Sequence, residues 1–168
     1  MRWYFVGVRP PGPGGAVERW EKMTITPRQD LVLAGMLAGS ASSELSPVQA
    51  QKLFFLIDQN AATLVHGPHF DFRPYDYGPF DSAVYSELDS LSNLHGLVEV
   101  RRDGNYRTYM LTAAGVARAE AVLARMNPVA SDYIGKLKDW VKSLGFRDLV
   151  SAIYRDYPDM RVNSIFRG

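Results

Sequence analysis

The run His95-Gly96-Leu97-Val98-Glu99-Val100-Arg101-Arg102-Asp103-Gly104-Asn105-Tyr106-Arg107-Thr108-Tyr109-Met110-Leu111 decides the fold class of this chain. Leu97 to Arg102 and Tyr106 to Leu111 are rich in β-branched and aromatic residues. They flank Asp103-Gly104-Asn105, a tight-turn signal. Strand alternation puts Val98, Val100, Tyr109 and Leu111 on one face of the ribbon. His95-Gly96 stops a preceding helix: glycine suits the left-handed residue after a helix end, and histidine near the last turn suits the dipole. On the other side Leu111-Thr112-Ala113-Ala114-Gly115 leads straight into another helix. The chain therefore reads as mainly α with a small β-hairpin.

Toward the N-terminus, Thr26-Pro27-Arg28-Gln29 and Ser46-Pro47-Val48-Gln49 each place a hydroxyl at the N-cap, proline at the first helical position and glutamine at the third. The hydroxyl accepts the N3 amide, the glutamine reaches back to the cap, and proline sits where its missing donor costs nothing. These signals predict helices over 27–38 and 47–60, with Leu31, Val32, Met36 and Leu37 facing the core from the first and Leu53, Phe54, Leu56 and Ile57 from the second. Residues 61–79 read as a long connection carrying Phe70, Phe72, Tyr75 and Tyr77. A third helix is predicted from Pro79, with Gly78 as candidate N-cap, Asp81 in the first turn, and Val84, Leu88, Leu91 and Leu94 at helical spacing.

Toward the C-terminus, Val116, Val122, Leu123 and Met126 mark a fourth helix. Asn127-Pro128 starts a fifth bearing Tyr133, Ile134, Leu137, Val141 and Leu144. Gly145 is expected to end it, bringing Phe146 into a terminal contact with Val141. A sixth helix carries Phe146, Leu149, Val150, Ile153, Tyr154 and Tyr157, closed by Pro158. Three helices, a two-stranded wing and a helix give the order of a winged helix-turn-helix core, with a C-terminal helical pair packed on it. The domain is expected to span 23–168. Arg-Pro-Pro-Gly-Pro-Gly-Gly at 9–15 breaks regular structure, so residues 1–22 read as a flexible arm, and Met23 is an alternative start.

Composition bounds the function. The 168 residues suffice for one ordinary domain, and 46% apolar with 22% charged residues is the balance of a globular chain. With no cysteine there is no disulfide framework and no thiolate zinc site. The apolar stretch Leu31 to Gly39 is far shorter than the roughly 20 residues of a membrane span. A cytoplasmic location without membrane contact is the expectation. Formal charge is +1, of which the first 22 residues contribute +2, leaving the remainder near −1. A protein held to nucleic acid by phosphate neutralisation would carry a clear basic excess. There is no Gly-x-Ser-x-Gly elbow, phosphate-binding glycine loop or dinucleotide fingerprint, so the chain is read as non-enzymatic and no cofactor is expected.

The distinctive stretch is Phe70-Asp71-Phe72-Arg73-Pro74-Tyr75-Asp76-Tyr77-Gly78-Pro79-Phe80-Asp81. It reads either as an aromatic plug beneath the third helix or as a recognition loop, since Tyr and Phe are frequent interface anchors. The candidate partner-binding residues are Tyr75, Asp76, Tyr77 and Phe80, with Glu87 and Asp89 from the acidic face of the third helix. A basic or aromatic partner would suit that surface. His66, His69, Asp71 and Asp76 contain ligand types, but their spacing on an irregular segment fixes no common face, and no metal site is expected. The third helix would enter the major groove in a DNA-binding protein, yet its polar face carries carboxylates and no lysine or arginine. Arg101, Arg102 and Arg107 on the wing, with Arg118, keep a wing-led nucleic-acid mode open as the alternative.

Gln51-Lys52-Leu53-Phe54-Phe55-Leu56, the Phe72-to-Phe80 run, Val84-Tyr85-Ser86-Glu87-Leu88, Gly96-Leu97-Val98 and Tyr154-Arg155-Asp156-Tyr157-Pro158, followed by Asn163-Ser164, resemble the small bacterial YwgA-like proteins. More distantly they resemble the Panacea (SocA-type) domains associated with toxin–antitoxin systems. The likeness covers roughly Thr26 to Phe166. It implies an antitoxin-like or adaptor module that binds a partner protein, such as a toxin, and implies no catalytic residues.

Overall fold

A computed structural model describes residues 24–168, so the arm assigned to residues 1–22 and the alternative start at Met23 lie outside the described residues. Within them the chain is mainly helical, with six α-helices and two small antiparallel hairpins. Helix α1 (Pro27–Leu37) and helix α2 (Pro47–Asn60) start where their capping boxes require. The Thr26 hydroxyl accepts from Gln29 N and the Ser46 hydroxyl from Gln49 N, with both glutamines returning the bond to the cap amides. Ala38 is the C-cap of α1.

Both helices are more deeply covered than an amphipathic reading predicts. In α1, Gln29 and Leu31 to Met36 are buried; in α2, every residue from Ala50 to Asp58 is. Helix α4 (Ala113–Arg125) packs along α1, and α5 (Pro128–Ser143) crosses both α1 and α2. One apolar cluster joins Leu33 and Met36 of α1, Phe54 and Phe55 of α2, Leu88 and Leu91 of α3 (Ser82–Asn93), Ile134 and Val141 of α5, and Leu149 and Ile153 of α6 (Phe146–Asp156). Each such side chain removed from water contributes about 1.5–3 kcal/mol.

The hairpin read at 97–111, the candidate wing, lies where the sequence places it. Strands β3 (Val98–Asp103) and β4 (Tyr106–Leu111) pair with Val98 opposite Leu111 and Val100 opposite Tyr109, the predicted inward face. The turn is Gly104-Asn105 with positive φ at Gly104 (58°), a position that favours glycine. Leu45, just ahead of α2, adds one bridge to the outer side of β4: its amide donates to the Tyr109 carbonyl at 2.8 Å and its carbonyl accepts from Tyr109 N at 2.9 Å.

Four expectations are corrected. The 61–79 connection is structured: a 3-10 turn spans Ala62–Val65, and β1 (Arg73–Tyr75) pairs with β2 (Gly78–Phe80). Helix α3 consequently begins at Ser82 rather than Pro79, and its N-cap is Asp81 rather than Gly78, with the Asp81 carboxylate accepting from Ala83 N at 2.8 Å. Leu94 falls past the last helical turn and is 60% exposed, so it does not join Val84, Leu88 and Leu91 in the core. Gly145 has an ordinary φ of −69° and caps the start of α6. The left-handed helix end expected at Gly145 is therefore not formed, and Phe146 packs on Tyr77 and Phe166, ring centroids 5.2 and 5.9 Å away.

Candidate functional site

Three buried polar side chains of α2 hold the 69–81 segment. The Gln51 side-chain amide donates to the Asp81 carbonyl at 2.9 Å and its oxygen accepts from Asp81 N at 3.0 Å. The Lys52 ammonium donates to the Pro79 carbonyl at 3.1 Å. Asp58 accepts from His69 N and Phe70 N, both at 2.9 Å. Such groups are tolerated inside because each has a backbone partner. Burial alone pulls the Lys52 amine down to about 7. Gly78, at φ 95°, lies over it; a Cβ there would sit 3.6 Å from Lys52 Nζ and 3.3 Å from the Tyr154 ring.

The C-terminal segment clamps the same hairpin from outside. Ile165 N donates to the Asp76 carbonyl at 3.0 Å, the Ser164 hydroxyl donates to it at 3.2 Å, and the Asn163 side chain donates to the Pro74 carbonyl at 3.3 Å. A turn gripped from both sides still presents its rings: Tyr75 is 53% and Tyr77 40% exposed. Phe80 is half-buried between Tyr75 (5.0 Å) and Tyr85 (5.6 Å). The segment thus divides: Phe70 and Phe72 plug the core edge against Phe54 and Phe55, while Tyr75 and Tyr77 face outward.

The acidic face of α3 is less open than its sequence implies. Glu87 pairs with Arg28 at 3.3 Å, and the Arg28 guanidinium also lies over the Phe70 ring at 5.0 Å. Asp89 is half-buried and faces the Tyr109 environment. The Tyr109 hydroxyl is buried without a hydrogen-bond partner of acceptable geometry. Its pKa is pushed up to about 12 by burial, with Asp89 and Tyr85 adding to the rise and Arg107 opposing it.

The four candidate arginines do not form one patch. Arg118 of α4 binds Asp30 of α1 through two bonds of 2.9 and 3.0 Å, a bidentate pair shared with Arg125. Arg101 pairs with Glu99 at 3.4 Å. Arg102 and Arg107 stand directly opposite each other across the ribbon. Arg107 lies over the Tyr85 and Tyr109 rings at 5.2 and 5.1 Å. Both arginines line a cleft of about 1030 Å³ between the wing, the start of α2 and the α5–α6 joint. Lys142, Phe146 and Leu149 form its far wall. Sequence reasoning missed these three as site residues because the signal is tertiary, and it also missed Gln51, Lys52 and Asp58.

Of the ligand-type residues, His69 bonds the Val65 carbonyl at 2.7 Å and Asp71 pairs with Arg73 at 2.9 Å. No group of three or more His, Cys, Asp or Glu side chains among the described residues is gathered around a common point. None of the helices among them is long and apolar enough to cross a membrane. Against known proteins, the chain matches no family model and no curated sequence.

Proposed function

We propose that this chain is a non-enzymatic protein-interaction module, antitoxin-like or adaptor-like and working in the cytoplasm, that engages its partner through Tyr75 and Tyr77. One observation carries this reading: both rings are exposed on a turn whose backbone is fixed from below by Gln51 and Lys52 and from above by Ser164 and Ile165. Aromatic anchors on a preorganised backbone bind at small entropic cost, which is what an interface hot spot needs. Phe146 and Phe80 extend the aromatic surface on either side. The experiment is affinity capture with the wild-type chain and with Tyr75→Ala/Tyr77→Ala. The double variant is expected to lose the partner while its melting temperature stays within about 2 °C, since exposed side chains cost little stability. A double variant that unfolds would make the turn a core element, and one that captures the partner unchanged would place the interface elsewhere.

The Leu45–Tyr109 bridge favours a second reading at the level of fold. A single bridging residue between the first two helices, laid against the outer strand of the β3–β4 hairpin, supports a winged-helix arrangement and with it a DNA-binding regulator acting through the wing. Helix α3 offers a major groove no lysine or arginine, so such binding would rest on Arg102 and Arg107. It predicts salt-sensitive duplex binding that weakens when both become alanine. No duplex binding at low salt would remove it.

A further inference from the structure

The cleft between the wing and the α5–α6 joint has a charge pattern that the tyrosine turn does not explain. Arg102 and Arg107 are paired across the ribbon, and neither has a carboxylate partner among the described residues. Like charges directly opposite on a sheet face oppose its stability. Arg107 is held in place by its stack on Tyr85 and Tyr109, so the pair cannot simply splay apart at no cost. Lys142 enters from α5, its ammonium donating to the Glu44 carbonyl. Among the lining residues Glu44 is the sole acid, leaving three cations against one carboxylate. Two exposed rings, Tyr106 at 68% and Phe146 at 47%, also line the cleft, with Leu149 behind. Phe146 touches Tyr77, so this surface continues the tyrosine turn.

We propose that this cleft docks an extended acidic segment of the partner protein. Carboxylates settle among Arg102, Arg107 and Lys142, and an apolar side chain lies against Phe146 and Leu149. The inference rests on the protein-interaction reading and gives it a charge sign opposite to the one the acidic residues of α3 suggest. A volume of about 1030 Å³ holds several peptide residues, being at the upper end of the roughly 300–1,000 Å³ of small-ligand pockets. A peptide is favoured over a nucleic acid because Glu44 sits among the cations. A continuous phosphate chain would be repelled there, whereas a peptide can present backbone N–H groups to it.

The test is fluorescence polarisation of the full chain with a labelled octapeptide of alternating glutamate and leucine. The alternating lysine–leucine peptide and an oligothymidylate of equal length serve as competitors. The acidic peptide is expected to bind at least about tenfold tighter than either, and Arg102→Glu to weaken it about tenfold or more with an unchanged melt. Should that variant melt early, wild-type binding measured at about 50 and about 500 mM salt gives the same information, because screening must weaken it. Tighter binding of the oligothymidylate, no binding of the acidic peptide, or binding indifferent to both Arg102→Glu and salt overturns the proposal. Partner capture through Tyr75 and Tyr77 is scored separately. A failed peptide assay with capture intact therefore removes the cleft and leaves the module standing.

Discussion

Lys52 brings an ammonium group into an interior that offers it one carbonyl, that of Pro79. Burial lowers its pKa to about 7, and Lys138, whose ammonium meets only the Met36 and Ala41 carbonyls, is lowered to about 8. Between these values and the ordinary 10.5 the unfolded chain binds more protons than the folded one. Stability must then rise with pH across that window, at up to about 1.4 kcal/mol per pH unit for each lysine. Above pH 10 the sign reverses, because burial raises Tyr85 and Tyr109 and the unfolded tyrosines ionise first. Urea titrations at successive pH values should find maximal stability near about pH 9–10, and Lys52→Met should flatten the rise above pH 7. A profile indifferent to both the pH and the substitution would mean that the folded lysine stays charged. A second residue-scale prediction concerns Gly115: a Cβ there would come within 1.9 Å of the Leu97 carbonyl oxygen. Gly115→Ala should cost about 2–4 kcal/mol, read as a lowered denaturant midpoint.

At the scale of elements, what was legible in the sequence is what neighbouring residues decide. The capping boxes at Thr26 and Ser46 fix both helix starts, because hydroxyl, proline and glutamine all lie within one turn. Ser46→Ala should cost about 1 kcal/mol, seen as a shifted urea midpoint with an unchanged m-value. The β3–β4 hairpin was equally readable, since Gly104 and its flanking alternation are local. The β1–β2 hairpin was not. Gly78-Pro79 spells a helix start as well as a strand. The choice is made by Gln51 and Lys52, 30 and 27 residues earlier, which take up the Asp81 amide and the Pro79 and Asp81 carbonyls. The site shows the same division. Tyr75, Tyr77, Arg102 and Arg107 could be named from sequence. Lys142 and Phe146, which complete the cleft opposite the wing, belong to a helix joint that only tertiary packing brings there. The ion pair of Glu87 was hidden for the same reason, its partner Arg28 lying 59 residues away.

At the scale of the whole molecule, two irregular segments are each gripped by a helix in addition to their own contacts. Helix α2 holds 69–81, and α5 holds the turn after α1, where Asp139 accepts from Ser40 N and Ala41 N and Gly135 approaches Gly39 too closely to admit a side chain. Ser164, in the C-terminal segment, completes the first of these grips. The Ser164 hydroxyl donates to the Asp76 carbonyl and accepts from the Tyr154 hydroxyl at 2.5 Å and from Phe166 N at 3.0 Å, using its one donor and both acceptor positions. Removing that oxygen leaves three partners short at once, but only around the tyrosine turn. Ser164→Ala should therefore cost about 1–2 kcal/mol. Hydrogen exchange should speed up across 73–80 while the 98–111 wing keeps its protection. Partner affinity through Tyr75 and Tyr77 should fall with it, since rings on a loosened backbone must be ordered again on binding. Equal acceleration in the wing would mean that the tail stabilises the molecule globally and that the turn has no separate preorganisation to lose.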